Sequence, residues 1–309
     1  MMLRPPKLLV GGTIGIVGPG SPMKPERLVK GIRYLERRGY RVKLGEHIRD
    51  VYGYLAGSDV DRARDFNAMF QDPAVDAIIC TRGGYGTPRI LHKIDYDAVA
   101  ANPKILVGYS DITGLQLALF ARTGLVTFSG PMAAVEMGKG IHAFTEENFW
   151  PLVISTEAGR KLTGNAGPLR TIHAGTAEGT LLGGNLSLIA ALTGTAFLPD
   201  LDGTILVIED IGEEPYQIDR NLSQLRLAGV LQRIAGLVVG QMTDCEPDGS
   251  APSLTVAQIL FDLTTDLGIP VVTGLPYGHE DVKYTLPFGC RARLDAEEGN
   301  LQLLESGVV

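Results

Sequence analysis

Residues 104–119 read KILVGYSDITGLQLAL, and this stretch decides the fold class. Three apolar residues at 105–107 indicate a buried strand, and apolar residues return at helical spacing from position 112 onward. The pattern predicts a strand, a sharp turn and a helix, with Ser110 on the turn. A serine there suits a nucleophile, because backbone N–H groups at a helix start can bind an oxyanion. The same place suits a helix N-cap, so the pattern alone leaves both roles open.

The first half of the chain alternates short apolar runs with amphipathic segments of crossover length. The predicted strands lie at 13–17, 41–44, 75–80 and 105–107. Alternating strands and helices form parallel sheets, so we predict an α/β domain with a parallel sheet and helices on both faces. Ligands of such sheets bind at the carboxyl ends of the strands. The loops that follow the strands are therefore the candidate binding loops.

Two glycine-rich loops follow predicted strands. Gly83 and Gly84 would let backbone N–H groups approach a ligand closely, although a plain tight turn explains the pair equally well. The run GPG at 18–20 starts like a dinucleotide-binding fingerprint. Met23 occupies the position of its third glycine, so the spacing does not favour phosphate binding.

Composition excludes several classes of protein. The 309 residues are 45% hydrophobic and 20% charged, which is typical of a globular chain. A net charge of -7 without a cluster of basic residues predicts no nucleic-acid partner. Three cysteines without a C-x-x-C pair favour a reducing compartment over a disulfide framework. No apolar run has the length of a signal peptide or a membrane span, so we predict a cytoplasmic protein without a membrane partner.

The character of the sequence changes near residue 160. The segment 157–175 is polar and rich in Gly and Thr, as in a linker or a long crossing loop. Strands and helices alternate again beyond it, and the chain closes with a predicted hairpin that turns at 298–300. We therefore predict two domains, residues 1–160 and 161–309, the second being mixed α/β with more β structure at its end.

A nucleophilic serine needs a histidine to take its proton and a carboxylate to orient that histidine. Of five histidines, His279 alone stands in a glycine-containing loop after a predicted strand, and Glu209 ends another strand. The order Ser110, Glu209, His279 is one in which such triads occur. Lys283 stands where an H-E-x-x-H motif would have its second histidine, so we predict no metal site.

The chain resembles the serine peptidase family of L,D-carboxypeptidases, the murein tetrapeptide carboxypeptidases, which also includes the microcin C immunity peptidases. The resemblance covers nearly the whole chain in the family's order. The matching motifs are GPGSP at 18–22, RGGYG at 82–86, GYSD at 108–111, GPM at 130–132, GGNL at 183–186, IEDIGEEPYQIDR at 208–220 and GH at 278–279.

The resemblance implies a triad of Ser110, Glu209 and His279. The serine would belong to the N-terminal domain and the other two residues to the C-terminal domain. Glu213 lies close beyond Glu209, and the sequence leaves open which of the two faces the histidine. We prefer Glu209, because it ends the strand and the family motif has its glutamate in that place.

The implied activity is removal of the terminal D-alanine from a murein tetrapeptide in cell-wall recycling, without metal or organic cofactor. We place the implied oxyanion hole on the backbone N–H groups of Gly84 and Asp111. A substrate that ends in a carboxylate needs a cation nearby, and Arg82, next to Gly83, is our candidate at the substrate site. Arg82 fits a structural ion pair equally well. The family precedent suggests a homodimer.

Two alternatives remain. A relative that resembles the microcin immunity peptidases would cleave a peptidyl-nucleotide or another acyl-amide, and it would need an aromatic platform for the base. The single tryptophan, Trp150, lies close to the predicted boundary and offers no obvious platform. In the other class, a non-catalytic α/β protein binds a small ligand with its glycine loops, and Ser110 is only a cap.

Overall fold

The structure, a computed structural model, describes residues 2–165, 167–249 and 251–309. Its strands are β1 (Thr13–Val17), β2 (Arg41–Leu44), β3 (Ala77–Cys80), β4 (Ile105–Gly108), β5 (Thr127–Ser129), β6 (Lys161–Leu162), β7 (Arg170–His173), β8 (Thr176–Asn185), β9 (Thr204–Ile211), β10 (Gly236–Thr243), β11 (Val271–Thr273), β12 (Leu286–Phe288), β13 (Arg291–Asp295) and β14 (Asn300–Leu303). Its helices are α1 (Pro25–Arg37), α2 (Asp59–Gln71), α3 (Tyr96–Ala101), α4 (Thr113–Thr123), α5 (Glu136–Lys139), α6 (Ala143–Glu147), α7 (Trp150–Ile154), α8 (Leu186–Leu192), α9 (Pro215–Leu227) and α10 (Val256–Thr264).

The chain forms two compact units. The first runs to Glu157 and takes in two later segments, Tyr284–Gly289 and Ser306–Val309. The second comprises Ala158–Lys283 and Cys290–Glu305.

The first unit contains a six-stranded sheet with the order β12-β5-β4-β3-β1-β2. The five strands β1 to β5 are parallel, and β12 joins β5 as an antiparallel edge strand. Every residue of β1, β3 and β4 is buried, as expected for strands that helices cover on both faces. The α/β prediction is confirmed. The strand order reverses between β1 and β3, and the crevice at such a reversal is the usual ligand site of this architecture.

Local signals in the sequence explain the limits of α1. Pro25 stands in the first turn, where its missing N–H costs nothing, and Glu26 carries a charge that favours a helix N-terminus. Leu28 and Leu35 bury the inner face. The chain then turns at Gly39, which has a φ of 88°.

The second unit contains an eight-stranded mixed sheet with the order β6-β14-β13-β8-β9-β10-β11-β7. Strands β8 to β11 are parallel, and the remaining four pair antiparallel. The predicted hairpin is present as β13 and β14. This unit is therefore mixed α/β with additional β structure at its end, as predicted.

The division of the chain differs from residues 1–160 and 161–309 because two late segments join the first unit. β12 pairs with β5, which lies more than 150 residues earlier in the chain. The N–H of Val309 donates to the carbonyl of Pro5 at 3.0 Å, and the N–H of Lys7 donates to the carbonyl of Val309 at 3.0 Å. These pairings between distant parts of the chain leave no periodic signal in the sequence.

Three further observations complete the fold. Two short 3-10 turns, Thr87–Arg89 and Leu91–Lys93, connect the loop after β3 to α3. The cysteines Cys80, Cys245 and Cys290 are buried, and none of these three described residues is part of a disulfide. Within the described ranges, no helix has the length and apolar character needed to span a membrane.

Candidate active site

Ser110 stands between the end of β4 and the start of α4. It opens a single 3-10 turn, Ser110–Ile112, that leads directly into the helix. Its φ is 64°, in the left-handed region, and among the described residues Asp244 is the only other non-glycine with a positive φ. A serine in this region costs roughly 1–3 kcal/mol, and such strain concentrates at functional sites. The elbow predicted from the sequence is therefore present, with its serine in a strained conformation.

Gly108 makes the elbow tight. A Cβ at this position would lie 2.9 Å from both Cγ1 and Cγ2 of Ile112. Ile112 is fully buried, so it has no space to move away. The chain therefore folds back over its own strand end, and Ser110 occupies the corner.

The loop after β3 places Gly83 against the serine. A Cβ on Gly83 would lie 3.0 Å from Oγ of Ser110 and 3.1 Å from the backbone nitrogen of Asp111. The carbonyl of Gly83 accepts a hydrogen bond of 3.0 Å from the N–H of Ser21, which belongs to the loop after β1. The loops after β1, β3 and β4 therefore meet at one edge of the sheet. The sequence indicated a close backbone approach here but not which group Gly83 would approach.

Gly84 and Arg82 flank Gly83 on the exposed side of the same loop. Gly84 has a φ of 95°, and the next N–H, of Tyr85, donates to Oγ of Ser21 at 3.1 Å. Arg82 is exposed, and its Nη1 lies 3.4 Å from the carbonyl oxygen of Pro22. The structure thus brings Arg82, Gly83 and Gly84 to the sheet edge at which Ser110 stands.

Asp111 has a buried carboxyl group beneath the elbow. Its Oδ2 accepts a hydrogen bond of 2.9 Å from the N–H of Thr87, and the Thr87 hydroxyl donates to the Asp111 carbonyl. Burial raises the pKa of the Asp111 carboxyl, while hydrogen bonds from the backbone of Thr87 and Gly86 and from the Thr87 side chain act in the opposite direction. The side chain therefore fixes the neighbouring loop, and the backbone nitrogen of the same residue lies beside Gly83.

In the second unit, Glu209 contacts His279 directly. Glu209 belongs to β9, an inner strand of the sheet, and its side chain is fully buried. Its Oε2 lies 2.7 Å from Nδ1 of His279, whose side chain is 13% exposed. A carboxylate at Nδ1 holds the proton on that nitrogen, so that Nε2 is the basic one. The pair therefore has the arrangement of a general base and the group that orients it.

Glu213 does not share this contact. Its Oε1 lies 3.4 Å from Oγ of Ser187. Between the two glutamates, Asp210 accepts hydrogen bonds from Nδ2 of Asn185 at 2.8 Å and from Oγ of Ser187 at 2.6 Å. Sequence reasoning gave no role to this network, although its residues stand in the GGNL and IEDIGEEPYQIDR motifs. The network lies beside Glu209 on β9 and the start of α8.

One group of possible metal ligands exists among the described residues. His47, Asp50 and Asp61 have ligand atoms within 4.8 Å of one another. They lie in the first unit, in the loop after β2 and at the start of α2. None of them is a predicted site residue.

Both halves of the chain match LD-carboxypeptidase domains. Residues 14–130 match the LD-carboxypeptidase N-terminal domain, and residues 178–294 match the C-terminal domain. A probable murein peptide carboxypeptidase of Bacillus subtilis is 40% identical over 99% of this chain and 95% of its own length.

Two solved structures are similar over nearly the full length. A muramoyltetrapeptide carboxypeptidase from Oxalobacter formigenes is 36% identical, with a TM-score of 0.84 over 95% of this chain and 98% of that one. The microcin self-immunity protein MccF, in complex with aspartyl sulfamoyl adenosine, is 28% identical, with a TM-score of 0.90 over 99% of this chain and 100% of that one.

The fold and the domain matches define the class of the protein, a two-domain α/β serine peptidase. The chain belongs to the LD-carboxypeptidase family, and its relatives give it a carboxypeptidase role.

Proposed function

We propose that the protein is a serine L,D-carboxypeptidase in which Ser110 is the nucleophile, His279 the general base and Glu209 the residue that orients the histidine. The observation that carries the proposal is the left-handed conformation of Ser110 on the elbow after β4. An ordinary N-cap is formed by a serine with extended backbone, as at Ser58, which has a φ of -65° and a ψ of 156°. A cap does not explain a strained serine.

The proposed mechanism is acyl transfer in two steps. His279 takes the hydroxyl proton of Ser110, and the serine oxygen attacks the scissile carbonyl carbon. The N–H groups of Gly84 and Asp111 stabilise the oxyanion that forms. Collapse of the tetrahedral intermediate breaks the C–N bond, and the histidine gives its proton to the leaving amine. Water then repeats the sequence on the acyl-enzyme and restores the serine.

The proposed substrate is a murein tetrapeptide that loses its terminal D-alanine. The names of the Bacillus subtilis relative and of the Oxalobacter formigenes structure support this substrate class. The substrate ends in a free carboxylate. The exposed Arg82 precedes Gly83 in the chain, and Gly83 lies against Ser110. We assign Arg82 and Gly83 to substrate binding, with Arg82 pairing the carboxylate.

The proposal also places the protein in the cytoplasm and gives it a role in peptidoglycan recycling. The protein would act as a homodimer and would use no cofactor. Light scattering of the purified protein measures the oligomeric state directly. A mass equal to that of one chain across the working concentration range would contradict the dimer.

The second candidate function is cleavage of a peptidyl-nucleotide, which similarity to MccF favours. The available tryptophan does not provide the aromatic platform that such a ligand needs. Trp150 is 3% exposed, stacks on Tyr40 with ring centres 5.2 Å apart, and donates from Nε1 to the hydroxyl of Tyr34. Its ring is therefore occupied within the core, and the murein peptide remains the better supported substrate.

The deciding experiment is mass spectrometry of a murein tetrapeptide incubated with wild type and with Ser110→Ala. We expect the wild type to release one alanine and the variant to lose about 10³–10⁶-fold in rate, because a triad without its nucleophile retains little activity. An intact peptide with both proteins would contradict the murein assignment. Cleavage of a peptidyl sulfamoyl nucleoside in the same assay would then support the second candidate.

A further inference from the structure

A small pocket lies between α1 and α5 in the first unit, with a volume of about 240 Å³. Four basic side chains line it, and these are Lys30, Arg33 and Arg37 of α1 and Lys139 at the end of α5. Within the described ranges, no acidic residue lines it. The volume is below the usual range of sites that enclose a whole drug-sized ligand, so the pocket suits a compact group. The proposed mechanism uses none of these residues.

The fold brings the four basic residues together. The three that belong to α1 are spaced by three and four positions, so they share one face of that helix. Lys139 comes from a segment more than 100 residues later. Gly138, the residue before it, lies against the backbone of α1, because a Cβ there would be 2.6 Å from the carbonyl oxygen of Arg27. This close contact holds Lys139 beside the helix, and the sequence alone does not show a contact between such distant segments.

The four cations are not neutralised by the described part of the chain. None of their side chains forms a hydrogen bond or an ion pair with a described residue. Exposed arginines elsewhere in this unit do pair, as Arg89 does with Asp59 at 2.9 Å. A positive charge in the last turn of a helix is favourable, which accounts for Arg37 and Lys139 but not for Arg33. A chain with a net charge of -7 therefore gathers four positive charges around one concavity.

We propose that this pocket binds a terminal diphosphate group, either as the free ion or at the end of a small molecule. One phosphate group carries about 1.5–2 negative charges near pH 7, so two of them match four cations. The planar guanidinium groups of Arg33 and Arg37 suit parallel hydrogen bonds to phosphate oxygens, and the two lysines add compact positive charges. All four cations are exposed, so the remainder of a larger ligand would extend into solvent. The inference does not depend on the proposed function.

Isothermal titration calorimetry of the full chain tests the proposal, with pyrophosphate as the probe in a buffer without divalent ions. We expect pyrophosphate to bind once per chain with a Kd of about 100 µM or lower. Orthophosphate should bind at least about tenfold more weakly, because it offers half the charge. ADP and AMP distinguish the two sources of the group. ADP bound as tightly as pyrophosphate, with AMP much weaker, would assign the pocket to the end of a larger molecule, whereas binding of pyrophosphate alone would assign it to the free ion, and both results uphold the site.

Two double variants locate the binding. Arg33→Gln, Lys139→Gln removes one cation from each side of the pocket and should weaken pyrophosphate binding at least about 30-fold. Arg49→Gln, Lys93→Gln removes the same charge from exposed positions of the same unit outside the pocket, and it should change the Kd less than about threefold. All four positions are exposed, so we expect both variants to fold, and circular dichroism verifies this.

Several results would overturn the proposal. The wild type would contradict it by showing no saturable binding of pyrophosphate up to about 1 mM. Equal Kd values for pyrophosphate and orthophosphate would refute the diphosphate assignment. An equal loss in the two folded double variants would show that binding follows the total charge and not the pocket. Tighter binding of a single-stranded oligonucleotide than of pyrophosphate, lost in the pocket variant, would assign the cations to a nucleic acid instead.

Discussion

Ser110 has a strained backbone conformation and is also the proposed nucleophile. Replacement by glycine removes the steric cost of the left-handed conformation but also the hydroxyl group. For Ser110→Gly we expect activity to be lost and the free energy of unfolding to stay unchanged or rise by up to about 1 kcal/mol. Urea unfolding followed by circular dichroism measures this.

Ala68→Gly is the matched control for that prediction, because Ala68 is exposed within α2 of the same unit. Glycine there should lower the free energy of unfolding by about 1 kcal/mol. An equal loss in both variants would show that the conformation of Ser110 stores no strain.

Gly83 leaves the space beside the serine hydroxyl empty. For Gly83→Ala we expect kcat/KM to fall by at least about 100-fold, because the new methyl group would lie 3.0 Å from Oγ of Ser110 and beside the Asp111 nitrogen. Gly18→Ala is the control, since a Cβ at Gly18 meets its nearest neighbour at an ordinary 3.4 Å. Full activity in a folded Gly83→Ala protein would contradict the site.

The choice between Glu209 and Glu213 shows what residue patterns leave undecided. Both positions have the same parity, so a strand that continued through them would point both side chains to the same face. β9 instead ends at Ile211, and Gly212 follows with a φ of 68°. The chain therefore turns before Glu213, and of the two glutamates it is Glu209 that contacts His279. A pattern of apolar residues does not locate that turn.

At the level of elements, the sequence predicted β1, β3, β4 and their loops because buried parallel strands are continuous apolar runs. The segment 157–175, expected to be a linker, contains the two short strands β6 and β7. We predicted no strand at β8, which has ten residues and contains Gly179, Gly183 and Gly184. Glycine has low strand propensity, so pairing with β9 and β13, and not local preference, forms that strand.

His47 connects the loop after β2 to α2 and should make stability depend on pH. Its Nδ1 lies 2.8 Å from Oδ1 of Asp65, and this hydrogen bond is the largest cause of its raised pKa, from an ordinary 6.5. Burial opposes the increase, and Asp61 and Glu46 add to it. A raised folded-state pKa gives stability that is fully present below about pH 6.5 and is lost as pH rises through the folded value.

Thermal unfolding between pH 5.5 and 8.5 tests this prediction. The melting temperature of the wild type should fall more across that interval than the melting temperature of His47→Gln. The exposed His92 provides the control, and His92→Gln should behave as wild type does. Parallel curves for wild type and His47→Gln would contradict a contribution from the His47–Asp65 pair.

At the scale of the whole molecule, the path of the chain makes the first unit depend on late residues. A fragment that ends at Glu157 lacks β12 and the segment Ser306–Val309. Its β5 would then be an unpaired edge, and Val308, 1% exposed in the full chain, would no longer cover its neighbours. We expect this fragment to aggregate or to melt at a much lower temperature than the full chain.

Size-exclusion chromatography and circular dichroism of the fragment check this expectation. Co-expression with a peptide covering 284–309 should restore part of its solubility. A monomeric fragment that melts as cooperatively as the full chain would contradict the role of the late segments. The sequence did not reveal this dependence, because strand pairing across 150 residues has no local signature.

The pairing of β5 with β12 also determines when the first sheet can be completed during synthesis. Domains usually fold as they leave the ribosome, the N-terminal one first. Here β12, the edge strand of the sheet that carries the proposed nucleophile, is synthesised roughly 8–30 s after β5 at ordinary rates of translation. The strand next to the elbow is thus exposed to other nascent chains until β12 has been synthesised.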